Sequence, residues 1–209
     1  MAAHLDDQQE LENFKHFWRS WGRWLFAGLL VLALAYLGWV LYQNHQTAQK
    51  QEAAGILANM VEKAQANPED KAINNDLQTL QQQYPKSIAT AQASMMVAAN
   101  DFDKARYDVA EGHLNWVLAH QKAPFVQALA TQRLAIVQLQ QKKYDAALAT
   151  LNTPVEAAFE SALLETRGDV LVAQGKNKEA AAAYDAALAK LSKDAVGREL
   201  LQLKADQIK

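Results

Sequence analysis

The nineteen residues from Trp24 to Tyr42 carry no charge. An α-helix rises about 1.5 Å per residue, so such a run matches the roughly 30 Å hydrocarbon core of a bilayer. Its ends hold the side chains that a membrane interface selects. Trp18, Trp21 and Trp24 recur every three residues at one end, and Tyr36, Trp39 and Tyr42 do so at the other. Amphipathic rings settle at the headgroup level, so two clusters of them read as two interfaces. A soluble core helix that is apolar on every side needs a large protein around it. The 209 residues here do not supply one.

The competing reading is a removable export signal. Ala33-Leu34-Ala35 has the small-x-small form of a cleavage site. Yet the apolar run continues past it through Leu37, Trp39, Val40 and Leu41, and the head before it is long and acidic, with Asp6, Asp7, Glu10 and Glu12. The run therefore predicts a retained anchor. Lys15, Arg19 and Arg23 precede it closely, whereas only Lys50 follows closely. Lys and Arg beside a span stay on the cytoplasmic side. The expectation is a cytoplasmic head at 1–23, a transmembrane helix at 24–42, and an outer domain at 43–209, periplasmic in a bacterial inner membrane. The span contains no ionisable residue and no GxxxG, so it predicts neither a transport pathway nor close self-packing.

After Gln43 the chain reads as helix after helix. The first continues the membrane helix and ends near Asn67-Pro68, because the residue before proline avoids the helical region. Pro68-Glu69-Asp70 reads as the first turn of a second helix running to about Gln83. Tyr84-Pro85 stops it, and Ser87 suits the N-cap of the next.

A repeat follows. "RYDVAEGHLNWVL" (106–118), "KYDAALATLNTPV" (143–155) and "KNKEAAAAYDAAL" (176–188) align on Ala110, Ala147 and Ala180, spaced by 37 and 33. Four residues after these come Leu114, Leu151 and Tyr184; three before come Tyr107, Tyr144 and Asn177. Predicted helices 88–104, 125–141 and 159–173 precede the three segments. Helix–turn–helix units of about 34 residues have the period of tetratricopeptide repeats. Small residues at Ala98, Ala135 and Gly168 let each partner helix approach, and Gly175 suits a left-handed helix end. The copies are imperfect: Lys142 stands at the turn glycine, and Pro154 where a small residue of a second helix is expected. "GRELLQLKADQI" (197–208) reads as a cap whose Leu200, Leu201, Leu203 and Ile208 cover the last unit. The expected fold class is all-α: an N-terminal transmembrane helix, a tetratricopeptide-like α-solenoid of helical hairpins, and a C-terminal capping helix.

An anchor of this kind joined to "YPKSIATAQASMMVA" (84–98), "RLAIVQLQQKKYDAALATL" (133–151) and "RGDVLVAQGKNKEAAAAYDAAL" (167–188) resembles the YfgM-like ancillary subunits of the SecYEG translocon. The resemblance covers nearly the whole chain. It implies an inner-membrane protein whose periplasmic domain works beside the channel. The implied partners are SecYEG and the membrane-anchored periplasmic chaperone PpiD, and the implied role is helping newly translocated proteins onward. It supplies no catalytic residue.

The residues themselves point away from an enzyme. There is no cysteine, no glycine-rich phosphate loop and no Ser/His/Asp arrangement. His113 and His120 lie seven apart with Glu111 nearby, wider than the usual paired metal ligands, and a surface reading is preferred for them. No cofactor or metal is expected. The "RGD" at 167–169 falls inside a predicted helix at a small-residue contact. The part beyond residue 42 is close to neutral without a basic run, which disfavours nucleic acid.

What remains is a surface. First helices of such hairpins line a concave groove, and its candidate positions are Met95, Ala99, Phe102, Gln132, Ile136, Leu139, Glu165, Asp169 and Val172. Met and Phe suit apolar or unfolded segments, and Glu165 with Asp169, one turn apart, suit a basic group. Met95, Ile136 and Leu139 read equally as plain core. Three functions stay open: a tethered scaffold at the translocon, a holdase-like chaperone that binds unfolded clients directly, and an assembly factor for an envelope complex.

Overall fold

The computed structural model describes Lys15 and residues 18–208. Most of the expected head, including His4, Asp6, Asp7, Glu10, Glu12 and His16, lies outside the described residues. Two compact units divide the chain, Met1–Gln49 and Lys50–Lys209.

In the first unit a π-helical turn, Trp18–Gly22, leads into α1 (Arg23–Ala66), a 44-residue helix that begins here and ends in the second unit. Its apolar stretch is a candidate membrane helix, and none of that stretch is buried. Leu29, Val31, Leu32 and Leu34 all face outward, each more than half exposed. Unsatisfied apolar surface on every side of one helix is unfavourable in water and suited to lipid. Past the apolar run, Thr47 Oγ1 donates to Gln43 O at 2.9 Å.

The second unit is all-helical among the described residues: the end of α1, then α2 (Lys71–Gln83), α3 (Ile88–Asp103), α4 (Tyr107–His120), α5 (Pro124–Gln140), α6 (Tyr144–Thr150), α7 (Ala157–Ala173), α8 (Asn177–Lys190) and α9 (Arg198–Asp206). α1 ends one residue before Asn67-Pro68, as the proline requires. The start of α2 corrects the sequence expectation. Pro68 and Glu69 form a turn outside the helix, and Asp70 is the N-cap, its carboxylate accepting from Ala72 N at 2.9 Å. A side-chain cap satisfies a helix-end N–H that Pro68 at the first position would leave open. Ser87 caps α3 in the same way, accepting from Ala89 N at 3.2 Å.

Three hairpins follow, α3–α4, α5–α6 and α7–α8, and one turn is used three times. Ala105, Lys142 and Gly175 all take positive φ, at 57°, 59° and 75°. After each, a backbone N–H returns to a carbonyl five residues back: Arg106 N to Asp101 O, Lys143 N to Gln138 O, and Lys176 N to Leu171 O, at 2.8, 2.8 and 2.9 Å. This Schellman closure satisfies the last carbonyls of the first helix. Side chains then bridge one hairpin to the next. Gln141 Nε2 donates to Asp108 Oδ1 at 2.9 Å, and Gln174 Nε2 to Asp145 Oδ1 at 3.4 Å. The same spacing of 37 and 33 residues separates the members of each set.

Size compensation is visible inside the hairpins. Ala98 and Leu114 share one core cluster, and Ala135 and Leu151 another. In the last hairpin the second helix carries the larger Tyr184, and Gly168 faces it. A Cβ at Gly168 would overlap the Tyr184 ring. The middle hairpin is the irregular one: α6 stops at Thr150, and Pro154 lies in the non-helical stretch before α7. The cap also differs from expectation. α9 buries Leu201 and Ala205, with Ile208 partly buried beside them, whereas Leu200 and Leu203 stand outward at 59% and 53% exposure. A period of 3.6 lets a short helix bury only one narrow stripe, and 201 and 205 are one turn apart.

Candidate concave-face site

The first helices of consecutive hairpins, α3, α5 and α7, supply the candidate groove positions. Met95 is nearly fully buried and belongs to the core around Leu114 and Leu134, yet it also lines an open cavity. Ala99 is exposed, and Phe102 and Ile136 are half-buried. These four converge, with Ala98, Leu114 and Val137, on a cavity of about 260 Å³ between α3 and α5. The Phe102 ring meets Tyr107 edge-on at 5.4 Å. Arg133 and Asp103 complete the lining.

Farther along, the face closes. Gln132 Nε2 donates to Thr166 Oγ1 at 3.1 Å and to Ala162 O at 3.3 Å, joining α5 to α7. Leu139 packs with Tyr144, Leu148 and Leu151. Glu165 and Asp169 do face a basic group, and it belongs to the same chain. Lys204 of α9 donates to Glu165 Oε1 at 2.8 Å and to both Asp169 oxygens at 3.0 Å. Burial alone would lower the Lys204 ammonium, but its hydrogen bonds to these carboxylates and their charges raise it above the ordinary lysine value. Tyr184 Oη donates to Asp169 Oδ1 at 2.7 Å. Burial first, then that hydrogen bond and the two carboxylates, raise the Tyr184 hydroxyl well above its usual range. Val172, at the end of α7, remains exposed. The candidate positions thus fall into an open apolar end and an end filled by the chain's own cap.

A second cavity, of about 580 Å³, lies among the end of α1, α2, α3 and α4. Ile73, Leu77, Val97 and Val109 give it apolar walls, and Asp101, Arg106 and His113 a polar corner. Asp101 is buried and accepts from Arg106 Nε at 2.8 Å, with His113 Nε2 at 3.6 Å. Burial pushes the His113 imidazole below its ordinary value, and the Asp101 charge opposes that. His120 is elsewhere, stacked on Trp116 at 4.2 Å between ring centroids. The "RGD" tripeptide lies within α7, with Arg167 on Asn152, Gly168 under the Tyr184 ring, and Asp169 on Lys204.

Sequence reasoning missed Arg133, Asp101 and Lys204. Arg133 was within reach, since it lies three residues before Ile136 on one helix face. Lys204 lies 39 residues from Glu165, and no local pattern announces such a pair. At the other end of the chain the aromatic rings expected at a membrane interface are outward: Trp18, Trp21, Trp24, Tyr36, Trp39 and Tyr42 are all exposed, and Tyr36 and Trp39 lie 6.0 Å apart.

Comparison with known proteins gives a consistent picture. A family described as a tetratricopeptide repeat-like domain matches residues 15–209. A Neisseria gonorrhoeae protein named ancillary SecYEG translocon subunit is 60% identical over 209 residues, the full length of both chains. Proteins of the same name from Haemophilus influenzae and Escherichia coli are 25% and 26% identical, covering 90% and 100% of this chain and 91% and 99% of their own. No solved structure matches.

Proposed function

The chain belongs to the ancillary SecYEG translocon subunit family, with its tetratricopeptide repeat-like domain, and from that premise we propose that it is a membrane-anchored, non-enzymatic scaffold at the translocon. The apolar part of α1 holds it in the inner membrane. The excess of Lys15, Arg19 and Arg23 over Lys50 beside the span keeps residues 1–23 cytoplasmic and delivers residues 43–209 to the periplasm. The anchor and the repeats contact the SecYEG channel and a PpiD-like membrane-anchored chaperone, and the complex helps newly translocated proteins leave the channel. The observation that carries this reading is full-length similarity to a protein named for the translocon, in a chain whose one candidate membrane helix among the described residues has an apolar stretch of which nothing is buried.

The test is co-purification. Full-length protein is captured from mild-detergent extracts through a C-terminal tag, beside a version whose residues 1–43 are replaced by an unrelated anchor. Recovery of channel subunits with a periplasmic chaperone supports the proposal, and their loss after the swap assigns docking to the native anchor. Recovery of neither removes the translocon role.

The open cavity beside Met95, Phe102 and Ile136 favours a second reading, in which the repeats hold unfolded client segments directly. Adaptable apolar side chains suit varied clients. Suppression of client aggregation by the protein alone, without chaperone or channel, separates this holdase activity from scaffolding.

A further inference from the structure

Arg133 differs from the cations that the repeat unit holds in ion pairs. Arg106 is paired with Asp101, and Lys143 and Lys204 hold carboxylates. Arg133 is half-buried at the cavity between α3 and α5 and makes no hydrogen bond or ion pair with any described residue. Asp103, also on the lining, is exposed and not paired with it. A guanidinium that no described side chain holds can take an incoming carboxylate in a bidentate fork, a geometry that an ammonium on the exposed Asp103 does not offer. The apolar part of the cavity is built by Met95, Phe102, Leu114 and Ile136. Its volume of about 260 Å³ falls below the roughly 300 Å³ at which sites for whole small molecules begin. It suits one large side chain presented by a longer chain.

We propose that this cavity takes up a large apolar side chain of an extended protein segment in which a carboxylate neighbours that side chain, the carboxylate docking on Arg133. The occupant is therefore an acidic-apolar segment of another protein, not a basic one. The filled end of the face shows the complementary arrangement in cis, carboxylates of a first helix holding a cation from the capping helix α9. The inference rests on the concave face being the protein-binding surface of the proposed scaffold.

The test uses full-length protein in detergent micelles and short fluorescent peptides of equal length, read by anisotropy. One peptide carries Phe beside Glu, one Phe beside Lys, and one Ala beside Glu. The Phe–Glu peptide is expected to bind best. Arg133→Gln should weaken it about tenfold and abolish its advantage over the Phe–Lys peptide, and Ala99→Leu, at an exposed position that tolerates bulk, should block all three by filling the mouth. Equal binding of the Phe–Glu and Phe–Lys peptides, binding indifferent to Arg133→Gln, or no binding at all overturns the proposal. So does self-association of the protein that Ala99→Leu dissolves, because the cavity is then a contact between copies. Co-purification with the channel can survive each of those outcomes, so failure here is distinguishable from failure of the scaffold reading.

Discussion

The two ends of the row of first helices, α3 and α7, are built from the same repeat and finished differently. At the far end, Gly168 makes room for Tyr184, Gly175 supplies the left-handed turn, and Lys204 neutralises Glu165 and Asp169. At the near end, Ala98 meets Leu114, the non-glycine Ala105 takes the positive φ, and Arg133 lines an open cavity without an ion pair to any described residue. Terminal repeats of a solenoid need a finished outer surface, and the far end has one. The near end keeps apolar volume and charge unused. The difference teaches that occupation of the candidate positions is a local property: the capping helix covers Glu165 and Asp169 and leaves the cavity between α3 and α5 open.

The largest effect should come from breaking the finished end. Tyr184→Ala removes a buried ring and its hydrogen bond to Asp169, which should cost about 3–5 kcal/mol in urea unfolding followed by circular dichroism. Gly168→Ala drives a methyl into the same ring and should cost about 1–3 kcal/mol. An unchanged midpoint for either variant would mean that the ring does not pack as described.

Lys204→Met should cost less, about 0.5–1 kcal/mol, because the pair is about one-third exposed and screened. Its pH signature is the sharper reading. The fold raises Lys204 above 10.5 and Tyr184 above 10.0, so both are held protonated. Their contribution is complete below about pH 10 and declines as pH rises through the raised values, since the unfolded chain releases these protons first. Unfolding free energy should therefore fall on the alkaline side, and Lys204→Met combined with Tyr184→Phe should flatten that fall. Identical alkaline profiles would refute the pairing.

At the near end the signs reverse. Ala105→Gly and Lys142→Gly relieve a side chain from the left-handed region and should each stabilise by about 0.5–1 kcal/mol. Gly175→Ala should do the opposite. Smallest of all, Arg133→Gln should leave stability within about 0.5 kcal/mol, since Arg133 makes no hydrogen bond or ion pair with any described residue. A larger loss would show that Arg133 serves the fold rather than a partner.

Much of this architecture was legible in residue spacing. The nineteen-residue uncharged run marked α1, the proline at 68 marked its end, and the spacing of 37 and 33 marked the hairpins. The candidate positions Met95, Ala99, Phe102 and Ile136 share one cavity because first helices stack side by side, which the repeat period implies. Other features follow from contacts that spacing does not encode. Asp70 displaced Pro68 from the start of α2 because a side-chain cap competes better than a favoured backbone angle. Leu200 and Leu203 looked like covering residues by type, but the stripe that α9 buries runs through Leu201 and Ala205. Lys204 reached Glu165 and Asp169 only once α9 had folded back on α8 and α7, a pairing decided by tertiary packing.

The claim that the near end is the binding end is tested most directly by site-specific photo-crosslinking in intact membranes. A photoreactive phenylalanine derivative is placed at Ala99 or at Val172 in the full-length protein, both exposed positions on first helices. The account predicts covalent adducts with other proteins from Ala99, lost on Arg133→Gln, and none from Val172. Equal adducts from both positions, or adducts from Val172 alone, would contradict it.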